Sequence, residues 1–245
     1  MNRYFYDLHI HSCLSPCADN DMTPNNIAGM AALKGLQIVA LTDHNSCRNC
    51  PAFFDACKKQ GLIAIAGMEL TTAEDIHLIC LFELLETAMR FDQALSNKRI
   101  NIKNRTDIFG EQIITDAEDT IVGYEQNLLP VATTLTIEAA YSLAKEYSAV
   151  VYPAHIDRRS NGIVSTLGTF PNNPPFKCAE LKDSALTEHY RSLHPVLSDK
   201  KIITSSDAHY LWDISEAGDA NSIMLDDTPY SGDLVRKRLF EYLNG

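Results

Sequence analysis

The residues with the most chemistry in this 245-residue chain are its eight histidines and the carboxylates beside them. Asp7-Leu8-His9-Ile10-His11 sets two imidazoles two positions apart, hence on one side of an extended segment, because strand side chains alternate with period two. Asp207-Ala208-His209 repeats that spacing with a carboxylate and an imidazole. Asp43-His44 follows the run IVALT, Glu69 stands at the end of LIAIAGMEL, His77 begins HLICLF and His155 ends AVVYPAH. Imidazole and carboxylate donors together suit Zn, Mn or Fe(II). The set exceeds what one tetrahedral zinc takes, so two or three divalent ions are expected. A lone histidine at a strand end is more often a hydrogen-bonded structural residue; six at such positions, with Glu69 and Asp207 beside them, favour ligation. His189 and His194 fall outside the pattern.

Such donors need elements that carry them to one place. Tyr4 to Ile10 reads as a first strand. Thr23-Pro24 then supplies an N-cap and a proline at the first helical position, and the helix stops at Gly35. Ile38 to His44 is a second strand, and Pro51 to Gln60 a short helix closed by Gly61. LIAIAGMEL and IHLICLF are the third and fourth strands, and Glu83 to about Lys98 looks helical. Residues 99–130 read as an insertion, with EQIITDAEDTIVGY a small hairpin about an acidic turn. Thr136 to Tyr147 is a helix, AVVYPAH a strand, and CAELKD, KIITSSDAH and NSIMLDD further strands before a closing helix from Leu234 to Leu243. The alternation implies a largely parallel sheet in one domain over residues 1–245. Seven or eight such strands favour a barrel, with an open sheet as the alternative. In a barrel the strand C-termini and the loops after them build the active site, which is where most of the histidines fall.

Composition narrows the partners. The formal charge is −11, with 21 Lys+Arg against 32 Asp+Glu, which argues against a nucleic-acid binder with a basic face. No run approaches the roughly 20 apolar residues of a membrane span, and MNRYFYDLHIHS lacks the apolar stretch of a signal peptide. The chain therefore reads as cytoplasmic, and it carries no signal for an oligomeric state. Seven cysteines in such a chain suit metal binding or burial better than a disulfide framework.

Taken together, DLHIHS, LTDHNS, Glu69 with DIHLI, PAHIDR and SSDAH resemble the ordered motifs of the PHP (polymerase and histidinol phosphatase) phosphoesterases, from about Tyr4 to about Asp226. The resemblance implies a distorted (β/α)7 TIM-like barrel with a trinuclear metal site. It implies that His9, His11, Glu69 and Asp207 hold a first ion, and that Glu69 bridges to a second held by His77 and His155. His44 and His209 would hold the third. The family usually adds a ligand from the loop after the H-x-H pair; here that loop is SCLSPCAD, with Cys17 in the nearest slot and Asp19 two residues on. A Cys17 thiolate would favour Zn or Fe(II) over Mn.

The chemistry these residues suit is phosphate ester hydrolysis. A metal-bound hydroxide would attack phosphorus in line, with paired ions clamping the attacking and leaving oxygens. Glu69, His44 and His209 are the catalytic candidates. Asp43, beside His44, joins them as a carboxylate that fixes an imidazole tautomer, or is a plain turn residue. Arg158 and Arg159 are candidates for the substrate phosphate, Arg158 before Arg159 by the resemblance; an exposed loop pair is the bland alternative. Lys103 and Arg105 read as a solvated loop more readily than as a lid. Cys13, Cys17, Cys47 and Cys50 follow the first two strands and form a candidate four-thiol site, against the alternative of small buried residues. The expected activity is a phosphoesterase acting on a small phosphorylated metabolite or nucleotide. A nuclease acting on DNA or RNA ends and a cysteine-based metal or redox sensor are the alternatives.

Overall fold

The computed structural model describes residues 1–245. In chain order the elements are β1 (Asn2–Asp7), α1 (Pro24–Leu33), β2 (Ile38–Leu41), α2 (Cys50–Gln60), β3 (Ile63–Thr71), β4 (His77–Phe82) and α3 (Leu85–Leu95). There follow α4 (Thr106–Phe109), β5 (Ile113–Thr115), β6 (Ile121–Tyr124), α5 (Ile137–Glu146), β7 (Val150–Pro153), α6 (Ile163–Leu167) and β8 (Cys178–Glu180). The chain ends with α7 (Thr187–Leu193), β9 (Lys201–Ile203), β10 (Ser222–Leu225) and α8 (Gly232–Asn244). Local chemistry sets several boundaries. Thr23 accepts from the Asn26 N–H with Pro24 in the first turn of α1, and Thr136 caps α5 by accepting from the Ala139 N–H. Gly61 ends α2 in the left-handed region, at φ 72.

Six strands form one curled sheet in the order β10-β1-β2-β3-β4-β7, and β8 pairs with β9 beside it. The sheet is mixed, which corrects the expectation of a largely parallel one. β1/β2, β2/β3 and β8/β9 are parallel; β10/β1, β3/β4 and β4/β7 are antiparallel. The reason lies between β3 and β4. Only residues 72–76 join them, far short of the dozen or more a parallel crossover needs, so the two must form a hairpin. A regular alternation of seven β/α units is therefore not what the chain builds. The curl is tied across its gaps by single backbone bonds. Ile156 donates to the Glu180 carbonyl at 2.8 Å, and His11 donates to the Ala208 carbonyl at 3.0 Å.

Alternation along the strands sorts the core onto two faces. Val39, Leu41, Met68, Leu70, Leu78 and Cys80 pack outward against α1, α2, α3 and α5. Tyr6, Ile38, Ile63, Ile65, Ile79 and Tyr152 pack on the other face, closed by Val235, Leu239, Phe240 and Leu243 of α8. Glu69 shares the phase of Ile63 and Ile65, so it points to this inner face although every residue of β3 is buried. Residues 99–130 carry α4 and the β5/β6 hairpin. Side-chain amides tie this segment to the barrel, Asn25 among them, donating to the Ala117 carbonyl at 2.6 Å. Asn45 donates to the Leu129 and Val131 carbonyls at 2.7 and 3.0 Å, and Asn49 donates to the Ile113 carbonyl at 3.0 Å.

Candidate metal centre

Glu69 is the hub of the site. The β3/β4 register sets it opposite Ile79 and sets Thr71 opposite His77, so one hairpin delivers both Glu69 and His77. Glu69 Oε1 lies 2.7 Å from His77 Nδ1, 3.0 Å from His155 Nε2 and 3.3 Å from His9 Nε2. Its Oε2 lies 3.0 Å from His44 Nδ1 and 3.3 Å from His11 Nε2. Asp207 Oδ1 completes one corner, 3.4 Å from His9 Nε2 and 3.3 Å from His11 Nε2. The strand expected over Tyr4 to Ile10 is β1, Asn2–Asp7, and it stops short of Ile10, so His9 and His11 sit just past its end, where backbone and side chains turn toward this cluster.

Neighbouring groups fix which ring nitrogens face inward. His9 Nδ1 donates to Glu180 Oε1 at 2.8 Å, because a carboxylate only accepts; this leaves Nε2 as the inward lone pair. Ser15 Oγ donates its one proton to Asp43 Oδ1 at 2.7 Å. It must therefore accept from His11 Nδ1 at 3.1 Å, as it does from the His44 N–H at 3.1 Å. His11 Nε2 then also faces inward as a lone pair, 3.1 Å from that of His9. A cation or a proton must bridge two such lone pairs, and ligand bonds of about 2.0–2.1 Å put adjacent donors roughly 3.0–3.4 Å apart. His209 Nδ1 donates to the Asp207 carbonyl at 2.9 Å, which frees its Nε2 in the same way. Replacing Ser15 by alanine removes the group that fixes the His11 tautomer. We expect divalent-metal affinity to fall about 10–100-fold with the fold kept. Chelator competition checks this, and affinity within about twofold of the parent would refute it.

The charges follow from that packing. Burial works against protonating His11 and His44, but Glu69 and Asp207 around the first, and Glu69 around the second, outweigh it and lift both to about 9. His9 is likewise raised against burial by Glu180, Glu69 and Asp207. Burial, with His11 nearby, pushes His209 down to about 3. Burial alone would raise the carboxyls of Glu69 and Asp207, yet the imidazoles around them hold both well below the usual range. Three overlapping donor sets emerge whose ligand atoms lie within 4.8 Å of one another: His9, His11, Glu69 and Asp207; His44, Glu69 and His77; and His11, His44 and His209. The nitrogens His44 Nδ1 and His155 Nδ1 are buried without a hydrogen-bond partner, since Glu69 stands near His44 Nδ1 but off its bonding line. These donors fit divalent cations. Two sets differ from the expected grouping: His44 joins Glu69 and His77 where His155 was expected, and His11 joins His44 and His209.

Strain accompanies the cluster. His155 and Asp207 both adopt positive φ, at 26 and 52, a conformation costing about 1–3 kcal/mol for a residue with a side chain. Buried Glu180 helps hold the first by accepting from the His155 N–H at 3.1 Å. Buried Asp7 stitches the second, accepting from the N–H groups of Ser206 at 3.1 Å and Ser215 at 3.0 Å. After His155 the chain turns so tightly that a Cβ on Gly162 would stand 2.5 Å from the Arg158 carbonyl oxygen.

Above the cluster opens a cavity of about 610 Å³. His44, Glu69, His77, His155, Asp207 and His209 line its floor, Cys17 and Arg158 its rim, and Ile108, Phe109, Leu128 and Val131 one wall. A family profile described as PHP domain matches residues 7–156, well over half of the chain. The chain belongs to the PHP family. PHP domains are divalent-metal hydrolases, and the donor sets described above are what such an activity needs. No curated protein matches the chain. The lesion-specific endonuclease Q of Pyrococcus furiosus superposes with a TM-score of 0.68 at 18% identity, over 100% of this chain but 56% of the endonuclease. The PHP chain thus spans little more than half the length of that neighbour. A Bifidobacterium adolescentis protein provisionally assigned as a metal-dependent phosphoesterase gives 0.60 at 16% identity, over 96% of this chain and 95% of its own. An amidohydrolase from Chromobacterium violaceum gives 0.54 at 16% identity, over 90% and 92%. At such identities the likeness is one of fold.

Several expected roles change. Asp43 does not touch the His44 ring; it accepts from the Ser12 N–H and Oγ and from Ser15 Oγ, at 2.7, 2.6 and 2.7 Å. Its influence runs through Ser15 to His11. Arg159 is exposed and does not line the cavity, whereas Arg158 lines it and pairs with Asp207. Asp19 spends its carboxylate on the Asp21 N–H, while the Cys17 thiol stands beside the His44 ring. The four thiols do not form one site. Cys13 bonds the Ile113 carbonyl, Cys47 and Cys50 the Gly67 carbonyl, and burial pushes Cys13 up to about 12. Glu180, Ser15 and Asp7 were not foreseen as functional. Glu180 and Asp7 left a faint signal, a carboxylate directly after the apolar residues of a strand; Ser15 left none.

Proposed function

We propose that this chain is a metal-dependent phosphoesterase that hydrolyses a small phosphorylated metabolite or nucleotide at a di- or trinuclear centre. The observation that carries the reading is the overlap of three donor sets through His11, His44 and Glu69 beneath a cavity large enough for a small molecule. Divalent ions bound there supply Lewis acidity, activating water as the nucleophile and neutralising phosphate charge. The chain's own residues do the rest. Glu69 holds five imidazoles from four segments in register. Glu180 and Ser15 keep His9 and His11 in the ligating tautomer. Arg158, half exposed at the rim and paired with Asp207, presents its guanidinium to phosphate oxygens in the cavity. Protein loaded with Mn, Zn or Fe should release phosphate from members of a monoester panel. Full metal content without any release would end this reading.

Arg158 and Arg159 make a paired test. Arg158→Ala should raise KM about tenfold, equivalent to roughly 1.4 kcal/mol, while Arg159→Ala leaves it unchanged. Equal effects would remove the assigned phosphate contact.

A nuclease is the second reading. The negative charge argued against nucleic acid, but that expectation finds no support in the comparisons: endonuclease Q has been solved on a 27-mer duplex substrate with an abasic lesion. Cleavage of a lesion-containing duplex, with salt-sensitive binding, would favour it over the small-substrate reading. No helix is long and apolar enough to cross a membrane. All seven cysteines are free, which suits the reducing cytoplasm we propose for it.

A further inference from the structure

The cavity is polar on its floor and apolar on one wall, and the wall's large side chains, Ile108, Phe109, Leu128 and Val131, come from the insertion and the segment after it, with Pro16 of the loop after β1 also on the lining. Ile108 and Phe109 of α4 keep 57% and 45% of their surface exposed, two consecutive large apolar side chains at the mouth of a charged site. A phosphate needs no such surface, and neither side chain offers a proton or a charge.

Buried amides hold the wall at a set distance from the floor. Gln112 donates to the Glu125 and Asn127 carbonyls at 3.0 and 2.8 Å and accepts from the Leu129 N–H at 2.8 Å. Asn45, next to His44, donates to the carbonyls of Leu129 and Val131 while accepting from the Thr71 N–H at 2.9 Å. One side chain thereby ties the wall both to the His44 loop and to the end of β3, two residues past Glu69. Gly110, at φ 86, lets the end of α4 lie against the loop that carries Cys17; a Cβ there would meet the Pro16 carbonyl oxygen at 3.4 Å. The wall is built before any ligand arrives, the condition under which buried apolar contact adds most to affinity.

We infer that the insertion selects phosphate esters whose alcohol portion presents an apolar or aromatic face, with Phe109 and Ile108 as the selecting residues; this rests on the phosphoesterase reading above. The phosphate sits over the imidazole and carboxylate floor, and the body of the alcohol lies on Phe109 and Ile108.

Benzyl phosphate and glycerol 1-phosphate test it, since both leave as alkyl alcohols and differ mainly in the face they offer. The metal-loaded protein should show kcat/KM about tenfold higher for benzyl phosphate, the difference lying in KM. In Phe109→Ala and Ile108→Ala that ratio should fall toward one. Benzylphosphonate and ethylphosphonate, which are not hydrolysed, read the same wall by calorimetry. Tighter benzylphosphonate binding that Phe109→Ala removes, without turnover of any ester, upholds the wall and overturns the phosphoesterase reading. Turnover with equal kcat/KM for both esters and equal phosphonate binding overturns the wall alone. A benzyl preference that survives both substitutions overturns the assignment to these residues.

Discussion

Glu69→Ala should abolish turnover, on the order of 10³-fold or more, or at least about 4 kcal/mol of barrier. One carboxylate reaches five imidazoles and belongs to two of the three donor sets, so no neighbour can replace it. Its loss also leaves buried imidazoles without the anion that offsets their charge, so fewer divalent ions should remain per chain. Elemental analysis of the purified variant, together with phosphate release, checks both consequences. The fold should persist, because Glu69 lies on the inner face beyond the packed Ile63 and Ile65 and adds nothing to the apolar core. A variant with full metal content and activity within tenfold of the parent would defeat the assignment of Glu69 as the hub.

The second large effect is on stability. Asp7→Ala orphans three backbone N–H groups, those of His9, Ser206 and Ser215, which the buried carboxylate now accepts. Each buried donor left unpaired costs about 1–3 kcal/mol, so the variant should lose roughly 3 kcal/mol or more. For a chain of this size that lowers Tm by about 6–12 °C. Thermal unfolding of metal-free protein isolates the effect from cation binding. Metal affinity should fall as well, because Ser206 precedes the strained Asp207. A Tm within about 2 °C of the parent would show that water satisfies those donors.

The elements and most of the floor were legible in the sequence because they rest on local signals. Apolar runs marked the strands, Thr23 and Thr136 marked helix starts, and the H-x-H and D-x-H spacings marked side chains on a common side. Eight of the nine residues expected as ligands, all but Cys17, fall within the three donor sets or bond directly to Glu69. What depended on pairing over long range was less legible. The mixed sheet follows from the short β3–β4 connection, whose consequence for strand direction shows only once both strand ends are fixed. The Asp43–Ser15–His11 chain and the Glu180–His9 bond link residues 28 to 171 positions apart in all but one step, and nothing local announces them. The thiols misled for a similar reason. Proximity after neighbouring strands suggested a shared site, but alternate directions send Cys17 to the cavity and Cys13, Cys47 and Cys50 into packed interior.

The amide anchors Asn25, Asn45 and Asn49 give residues 99–130 the character of an interchangeable part. The barrel and its imidazoles come from other stretches of the chain, and the part meets these amides at backbone carbonyls, which any sequence supplies, with side-chain pairs such as Arg48–Glu125 and Thr23–Asp119 beside them. A graft of different length and lining that presents carbonyls to the same amides would inherit the metal-donor floor and bring its own choice of molecule. Diversification of this scaffold, by evolution or by an engineer, has an obvious place to start.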